Sequence, residues 1–444
     1  MPMGPWPVSA PRRIVVVGGG AAGAAAVAEL RARDFDGVIT LVCGEGVLPY
    51  ERPPLSKQFL LGTAPGEPGP GRADTGLADT GLADTGGGAL YPADWYERQD
   101  IDVRLGTHAT GLDPGAATLT LSDGTSLGYD RLLLATGVRP RVFPGLDGDR
   151  VCYLRTIGDA VRLREQVTAA AHVVILGGGF IGCEVAAAAV RLGKRVTILE
   201  ALPTLLHRVL GPELGGVVAA IHAAEGVDVR TSQRVTGLWH DADGLTVLTE
   251  AGSLRCDLLV VGVGTVPNTE LAELAGLATG NGILTDEYCA TSAPGVYAAG
   301  DVAAQYREGQ AGPRGGGPVR VEHHDSALRQ GRGAARNLLG LREPFTDVHW
   351  FWSDQYEHTI QSAGTHDGAD AGYVLRGSLS ERSFSAFWLD GDQIRSVISL
   401  NRPGDVIAAR RLIGAGQRVT ASQLADEALP LKRLSRPQRA AADT

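Results

Sequence analysis

Two stretches of the chain share one pattern of apolar and polar positions. Ile14-Val15-Val16-Val17 gives way to Gly18-x-Gly20-x-x-Gly23 and then to alanine-rich sequence; about 160 residues later Val173-Val174-Ile175-Leu176 leads into Gly177-x-Gly179-x-x-Gly182 and a second alanine-rich stretch. Short, continuous apolar runs ended by glycine predict buried strands, and the alanine-rich stretches predict helices. Both copies continue into another apolar run, Val38 to Val42 and Val196 to Leu199, each followed by an acid, Glu45 and Glu200. Strand, turn, helix and strand in that order make a βαβ unit, so two such units and an α/β fold are predicted.

Beyond the second unit the pattern shortens. Short strands are predicted between Val227 and Val261, another strand ends at Gly295-Val-Tyr-Ala-Ala-Gly-Asp301, and a helix begins near His324. From Val348 to about Leu412 the polarity alternates, as in Ser383-Phe384-Ser385-Ala386-Phe387-Trp388, which predicts the strands of a separate α+β domain. After Pro430 the tail is polar. Between Gly62 and Gly88 a Gly/Pro-rich tract repeats Ala73-Asp-Thr-Gly-Leu from Ala78 and nearly again from Ala83. No core can be built from it, and it reads as an expansion tolerated in a surface loop.

Composition adds limits. The 444 residues suffice for about three domains, and 44% hydrophobic with 20% charged residues describes an ordinary globular chain. The net charge of −9 provides no basic field for polyphosphate, which sets nucleic acid aside as a partner. Only Lys57, Lys194 and Lys432 are lysines. Five widely spaced cysteines, Cys43, Cys152, Cys183, Cys256 and Cys289, show neither a CxxC nor a Cys/His ligand pattern, so they read as buried thiols of a cytoplasmic protein with no metal site. Arg12-Arg13 before an apolar run imitates a twin-arginine signal, but the run carries four glycines and reaches Glu29 and Arg31 without a cleavage site, so it reads as structure. No uninterrupted apolar stretch of about 18 residues predicts a membrane span.

A lone GxGxxG is weak evidence, because glycine turns also serve packing. Two copies, each between strand and helix and each with an acid about 20 residues on, point to dinucleotides whose pyrophosphates rest on helix N-termini while the acids take the ribose hydroxyls. Glu200, an acid, favours a free 2′-hydroxyl and hence NADH at the second site, although Arg208 lies close in sequence. Two dinucleotides in one chain suit a flavin and a nicotinamide, whose rings must meet at about 3 to 3.5 Å for hydride transfer. Ala299-Gly300-Asp301 fits a flavin site, with a glycine for close approach and an aspartate for ribityl hydroxyls; Leu134-Ala135-Thr136-Gly137 plays the parallel part where the chain leaves the first domain.

Five longer motifs carry a specific resemblance. Leu48-Pro-Tyr-Glu-Arg-Pro-Pro-Leu-Ser-Lys57, Leu134-Ala-Thr-Gly-Val-Arg-Pro140, Gly177-Gly-Gly-Phe-Ile-Gly-Cys-Glu184, Gly295 to Asp301 and Phe351-Trp-Ser-Asp-Gln-Tyr356 make the chain resemble, from about Arg13 to Leu412, the FAD-dependent ferredoxin reductases that serve P450 and Rieske oxygenases. The resemblance implies two interleaved Rossmann-like domains of glutathione-reductase type, FAD and NAD, plus a C-terminal α+β domain. The FAD domain would span 12–140 and 270–347, with 62–88 as an insertion; the NAD domain would span 141–269 and the C-terminal domain 348–434.

Carried over residue by residue, Gly18, Gly20, Ala22 and Gly23 would hold the FAD pyrophosphate, Glu45 its adenosine ribose, and Ala109 would border the adenine. Arg52 and Lys57 would reach the flavin end, where a cation stabilises reduced flavin. Ala135, Thr136, Gly137, Arg155, Gly300 and Asp301 would complete the FAD set. Gly177, Gly179, Ile181 and Gly182 would form the second phosphate turn, Glu184 would face the nicotinamide, and Gly262 would line its entry.

Two departures stand out. Where the family often places tryptophan against the flavin, this chain has His324 within Glu322-His323-His324-Asp325, and an imidazole stacks less and can titrate. The Gly62 to Gly88 tract is the other. The stretch Pro53 to Leu61 contains no cysteine, which argues against disulfide or thiol peroxidase chemistry.

The resemblance implies NADH as hydride donor, FAD as the converter to single electrons, and a small iron–sulfur ferredoxin as acceptor. A rubredoxin reductase, a direct quinone or oxygen reductase, and an apoptosis-inducing-factor-like redox interaction protein remain as alternatives. An acidic ferredoxin needs a basic patch. Between Gln305 and Glu343 seven arginines face four acids, and Arg329, Arg332 and Arg336 share one helical face as a candidate docking surface.

Overall fold

A computed structural model describes residues 10–62, 88–241, 244–306, 317–365 and 372–434. Most of the low-complexity tract, and Arg307, Glu308 and Arg314 of the basic window, lie outside the described residues. The chain forms two compact units, one built on Met1–Leu55, Asp74–Arg141 and Thr265–Asp347, the other on Ser56–Ala73, Val142–Gly264 and Val348–Thr444.

In the first unit, the predicted strands Arg13–Val17 and Val38–Val42 sit in a five-stranded sheet, in the order Val296–Ala298, Arg131–Leu134, Arg13–Val17, Val38–Val42, Ile101–Arg104. Every pairing is parallel. Such strands are buried on both faces, which is why Ile14 to Val17 show no alternation. The helix Ala21–Ala32 packs against the helix His324–Leu338, and the contact depends on small residues: a Cβ on Gly331 would lie 2.2 Å from the Ala22 carbonyl oxygen.

The second unit repeats the plan. Asp228–Arg230, Arg195–Leu199, His172–Leu176, Leu258–Val261 and Val151–Cys152 form another all-parallel sheet. The helix Phe180–Arg191 follows its central strand. A C-terminal antiparallel sheet, ordered Trp350–Gln355, His358–Gly364, Gln393–Leu400, Ser383–Asp390, Val374–Ser378, belongs to the same unit. Sequence predicts a separate C-terminal domain, and this sheet is fully antiparallel as its alternation requires. One of its faces, however, shares a core with the parallel sheet: Tyr356, Ile360, Phe384, Trp388 and Ile398 pack with Cys183, Ala186, Val218 and Ile221.

The last described segment buries Leu424 and Leu431 in the core of the C-terminal sheet and is gathered around one arginine. Arg376 is 4% exposed and donates to the carbonyl oxygens of Leu424, Asp426, Glu427 and Leu429.

Candidate active site

Each glycine turn is fixed by a close backbone approach. Gly18 has φ +125°, and a Cβ there would stand 2.1 Å from the carbonyl oxygen of Ala135. Gly177 has φ +105°, with the carbonyl oxygen of Gly262 at 2.4 Å from the equivalent position. Only glycine satisfies both constraints. The same contacts bring Ala135 and Gly262, each one residue past the strand beside the central one, to their turns.

Gly20 and Gly179 are the N-caps of Ala21–Ala32 and Phe180–Arg191, and neither helix has a side-chain cap. A Cβ on either glycine would meet no atom within 4 Å. Uncapped first-turn N–H groups beside open backbone fit a pyrophosphate at each helix, so the residues present suit two dinucleotides.

Around the first turn, Ala22 is buried and approaches Gly300, whose added Cβ would lie 2.9 Å from the Ala22 Cβ. Gly23 crosses close to the Gly18 carbonyl. Thr136 and Gly137 are pinned by Asn268: Thr136 Oγ1 donates to its carbonyl at 2.7 Å, and its backbone N–H donates to the Gly137 carbonyl at 3.0 Å. Asp301 offers its carbonyl to Arg320 at 3.0 Å. His324 is the first residue of its helix, half-buried, and burial lowers its pKa against the pull of Glu51, Asp301 and Asp325. Ala109 opens the strand Ala109–Asp113.

Arg52 pairs with an acid of its own unit. Sequence sets it with Lys57 at the flavin end; in the structure its guanidinium pairs with Glu45 at 2.6 Å, and Tyr50 donates to the other Glu45 oxygen at 2.6 Å. The cation thus lies beside the acid assigned to the adenosine ribose.

Around the second turn, both oxygens of Glu200 are engaged. Oε2 accepts from the Gly178 N–H at 2.7 Å and Oε1 from the Leu202 N–H at 2.8 Å, so this acid shapes the glycine turn itself. Gly182 packs under the turn, Ile181 is 45% exposed beside it, and Arg208 is exposed on the helix His207–Ala224. Arg155 precedes the helix Ile157–Ala169 and belongs to this unit, as does Lys57.

Lys57 and Glu184 meet. Nζ lies 3.0 Å from Glu184 Oε1, with the two side chains 10% and 5% exposed. Ser56 donates to Glu184 Oε2 at 2.5 Å and Ser353 to Oε1 at 2.6 Å. The Trp352 ring lies 5.9 Å from the ammonium. A buried carboxylate with two hydroxyl donors and an ammonium is fully satisfied, which burial of the charges requires.

Nothing in the sequence marks Ser56, Ser353 or Asn268 as site residues, although Ser56 and Ser353 fall inside Leu48 to Lys57 and Phe351 to Tyr356. All five cysteines are free and buried; burial raises the Cys43 thiol to about 12 and also raises Cys183 and Cys256. Among the described residues no cluster of His, Cys, Asp and Glu could hold a metal ion, and no helix is long and apolar enough to cross a membrane.

The basic helix face is largely neutralised. Arg329 pairs with Asp325 and Asp347, and Arg336 with Glu29 and Glu343. Arg332 is exposed and forms no ion pair among the described residues. The excess counted along the sequence therefore shrinks, because Glu29 and Asp347 come from outside the counted window.

Two parallel sheets, each sending a glycine turn into a helix, define a two-dinucleotide α/β oxidoreductase fold. The chain belongs to the pyridine nucleotide-disulphide oxidoreductase family, whose pattern matches residues 12–331, and a reductase C-terminal domain matches 350–435. It is 38% identical to rhodocoxin reductase of Rhodococcus erythropolis over 94% of this chain and 93% of that protein. It is 37% identical to putidaredoxin reductase of Pseudomonas putida over 91% and 92%. Among solved structures, the covalent putidaredoxin reductase–putidaredoxin complex matches with a TM-score of 0.85 and 36% identity, covering 96% of this chain and 98% of the other.

Proposed function

We propose that this protein is an NADH-dependent FAD reductase that passes single electrons to a small iron–sulfur ferredoxin supplying a P450 or Rieske-type oxygenase. The observation that carries the reading is the Lys57–Glu184 pair. The segment where a disulfide reductase would keep a redox cysteine holds Ser56 and Lys57, both bonded to Glu184. With every thiol buried, the site is equipped for hydride and electron transfer and lacks a sulfur nucleophile.

In this reading residues 12–140 and 270–347 carry FAD, 141–269 carry NADH, and 348–434 form the C-terminal domain. Gly18, Gly20, Ala22 and Gly23 hold the FAD pyrophosphate, and Glu45 holds the ribose with Arg52 beside it. Ala109, Ala135, Thr136, Gly137, Arg155, Gly300, Asp301 and His324 complete the flavin site. Gly177, Gly179, Ile181, Gly182 and Gly262 hold the nicotinamide dinucleotide, with Glu200 accepting from its ribose and Arg208 near the phosphates. Bound FAD supplies the chemistry of taking two electrons as hydride and releasing them singly. Lys57 contributes a fixed positive charge, and Glu184 keeps that charge in place.

The ferredoxin docks at the face of Arg329, Arg332 and Arg336, where Arg332 is the charge without a carboxylate of its own. A reducing cytoplasm suits five free thiols.

The test is NADH-driven cytochrome c reduction by the FAD-loaded protein with and without added [2Fe–2S] ferredoxin, repeated with NADPH. Ferredoxin-dependent turnover that prefers NADH is the expected result. Flavin reduction with no ferredoxin stimulation would overturn it in favour of a direct quinone or oxygen reductase.

A further inference from the structure

Behind Glu184 the second unit contains a line of buried polar groups that the hydride step does not use. His222, in the last turn of His207–Ala224, is completely buried. Its Nε2 lies 3.0 Å from Gln355 Oε1 and its Nδ1 3.0 Å from the Tyr356 hydroxyl. Gln355 Nε2 lies 3.2 Å from Ser353 Oγ, which lies 2.6 Å from Glu184 Oε1. Ser353 and Gln355 alternate along the strand Trp350–Gln355 and so share a face. Tyr356 opens the hairpin loop to His358–Gly364 at φ +57°, a conformation bulky side chains rarely hold.

The partners fix where each hydrogen lies. Glu184 only accepts, so it takes the Ser353 hydrogen; Ser353 Oγ then accepts from the Gln355 N–H, which turns the amide oxygen toward His222 and places a hydrogen on Nε2. Burial lowers the imidazole pKa to about 4, so the ring is neutral near pH 7 with one N–H, and Nδ1 must accept from Tyr356. The Gln355 amide then donates to Ser353, whose single hydrogen goes to Glu184. Every hydrogen points from Tyr356 toward the carboxylate, and chains aligned this way strengthen one another.

The opposite tautomer would reverse the line. With the hydrogen on Nδ1, Nε2 accepts, the Gln355 amide turns over, and its oxygen takes the Ser353 hydrogen away from Glu184. We propose that the acceptor-only Glu184 carboxylate at one end and the Tyr356 hydroxyl, which gives its hydrogen to His222, at the other together hold this chain in one direction, and that the chain keeps the carboxylate where it positions Lys57. Tyr356, His222, Gln355 and Ser353 are positioning residues. The inference rests on the pairing of Lys57 and Glu184 assigned a role above.

The test uses the full FAD-loaded chain labelled with [15N]histidine, as wild type, Tyr356→Phe, His222→Leu and His222→Gln. Two readouts are taken: the ring 15N signature of His222, and the acetylation rate of Lys57 relative to Lys194 by mass spectrometry. The wild type is expected to show the Nε2–H tautomer. Tyr356→Phe is expected to give mixed tautomers, and Lys57 is expected to react about three- to tenfold faster while Lys194 is unchanged. His222→Leu should raise the Lys57 rate similarly, and His222→Gln, which keeps one donor and one acceptor, should restore it.

Tyr356→Phe removes one oxygen and carries the test if His222→Leu does not fold. A folded Tyr356→Phe protein with an unchanged His222 tautomer or Lys57 rate overturns the proposal. Neither readout involves ferredoxin, so absent ferredoxin reduction beside the expected spectra would overturn the functional reading alone.

Discussion

Lys57 Nζ stands 3.0 Å from Glu184 Oε1 although 127 residues separate them in sequence, and neither side chain is more than 10% exposed. Removing one member leaves the other charge buried without its counterpart. Glu184→Ala and Lys57→Met are each expected to destabilise the protein by about 3 kcal/mol in urea unfolding. The double substitution should cost clearly less than the two together, and a double-mutant cycle reads that coupling directly.

Glu200 combines two tasks, accepting from the Gly178 and Leu202 N–H groups and facing the ribose in the proposed function. Glu200→Ala is expected to raise the KM for NADH about tenfold, as loss of one hydrogen bond to a charged acceptor predicts. The same change removes repulsion toward a 2′-phosphate, so the ratio of kcat/KM for NADH over NADPH should fall. A ratio left at the wild-type value would remove Glu200 from cofactor choice.

The two glycine turns should fail separately. An alanine at Gly18 meets the Ala135 carbonyl at 2.1 Å, and one at Gly177 meets the Gly262 carbonyl at 2.4 Å, so backbone must move in either case. Gly18→Ala is expected to purify without bound FAD. Gly177→Ala should keep its flavin and lose reduction by NADH, with dithionite still reducing it. Absorbance spectra of the two purified proteins distinguish these outcomes.

Glu29 carries a pH signature. Burial would raise its pKa, but hydrogen bonds and charge from Arg336 and Arg33 outweigh that and hold it below the ordinary value. A depressed carboxylate pKa contributes stability above the ordinary range that is lost as pH falls through the folded value. Arg336→Ala should therefore cost about 1 kcal/mol at pH 7, with the gap closing toward pH 3 in denaturant titrations. Arg332→Ala, with no carboxylate to abandon, should be neutral at both.

Much of this arrangement is legible in the sequence. The apolar runs at Ile14 and Val173, the glycines that end them and the acids at Glu45 and Glu200 mark both parallel sheets, because strand burial and turn geometry leave periodic, local traces. The partners of Glu184 leave none. Ser56 lies 128 residues before it and Ser353 169 residues after it, and isolated serines have no spacing from which to read a hydrogen bond. Asn268, 132 residues from Thr136, is hidden in the same way. Arg329, Arg332 and Arg336 fall on one helical face as their spacing predicts, but counting charge along the chain could not see that Glu29 reaches Arg336 from 307 residues away.

Four backbone carbonyls between Leu424 and Leu429 converge on the guanidinium of Arg376. The same stretch buries Leu424 and Leu431 and pairs Glu427 with Arg402, so its amide protons should exchange with solvent together, when these holds open as one unit.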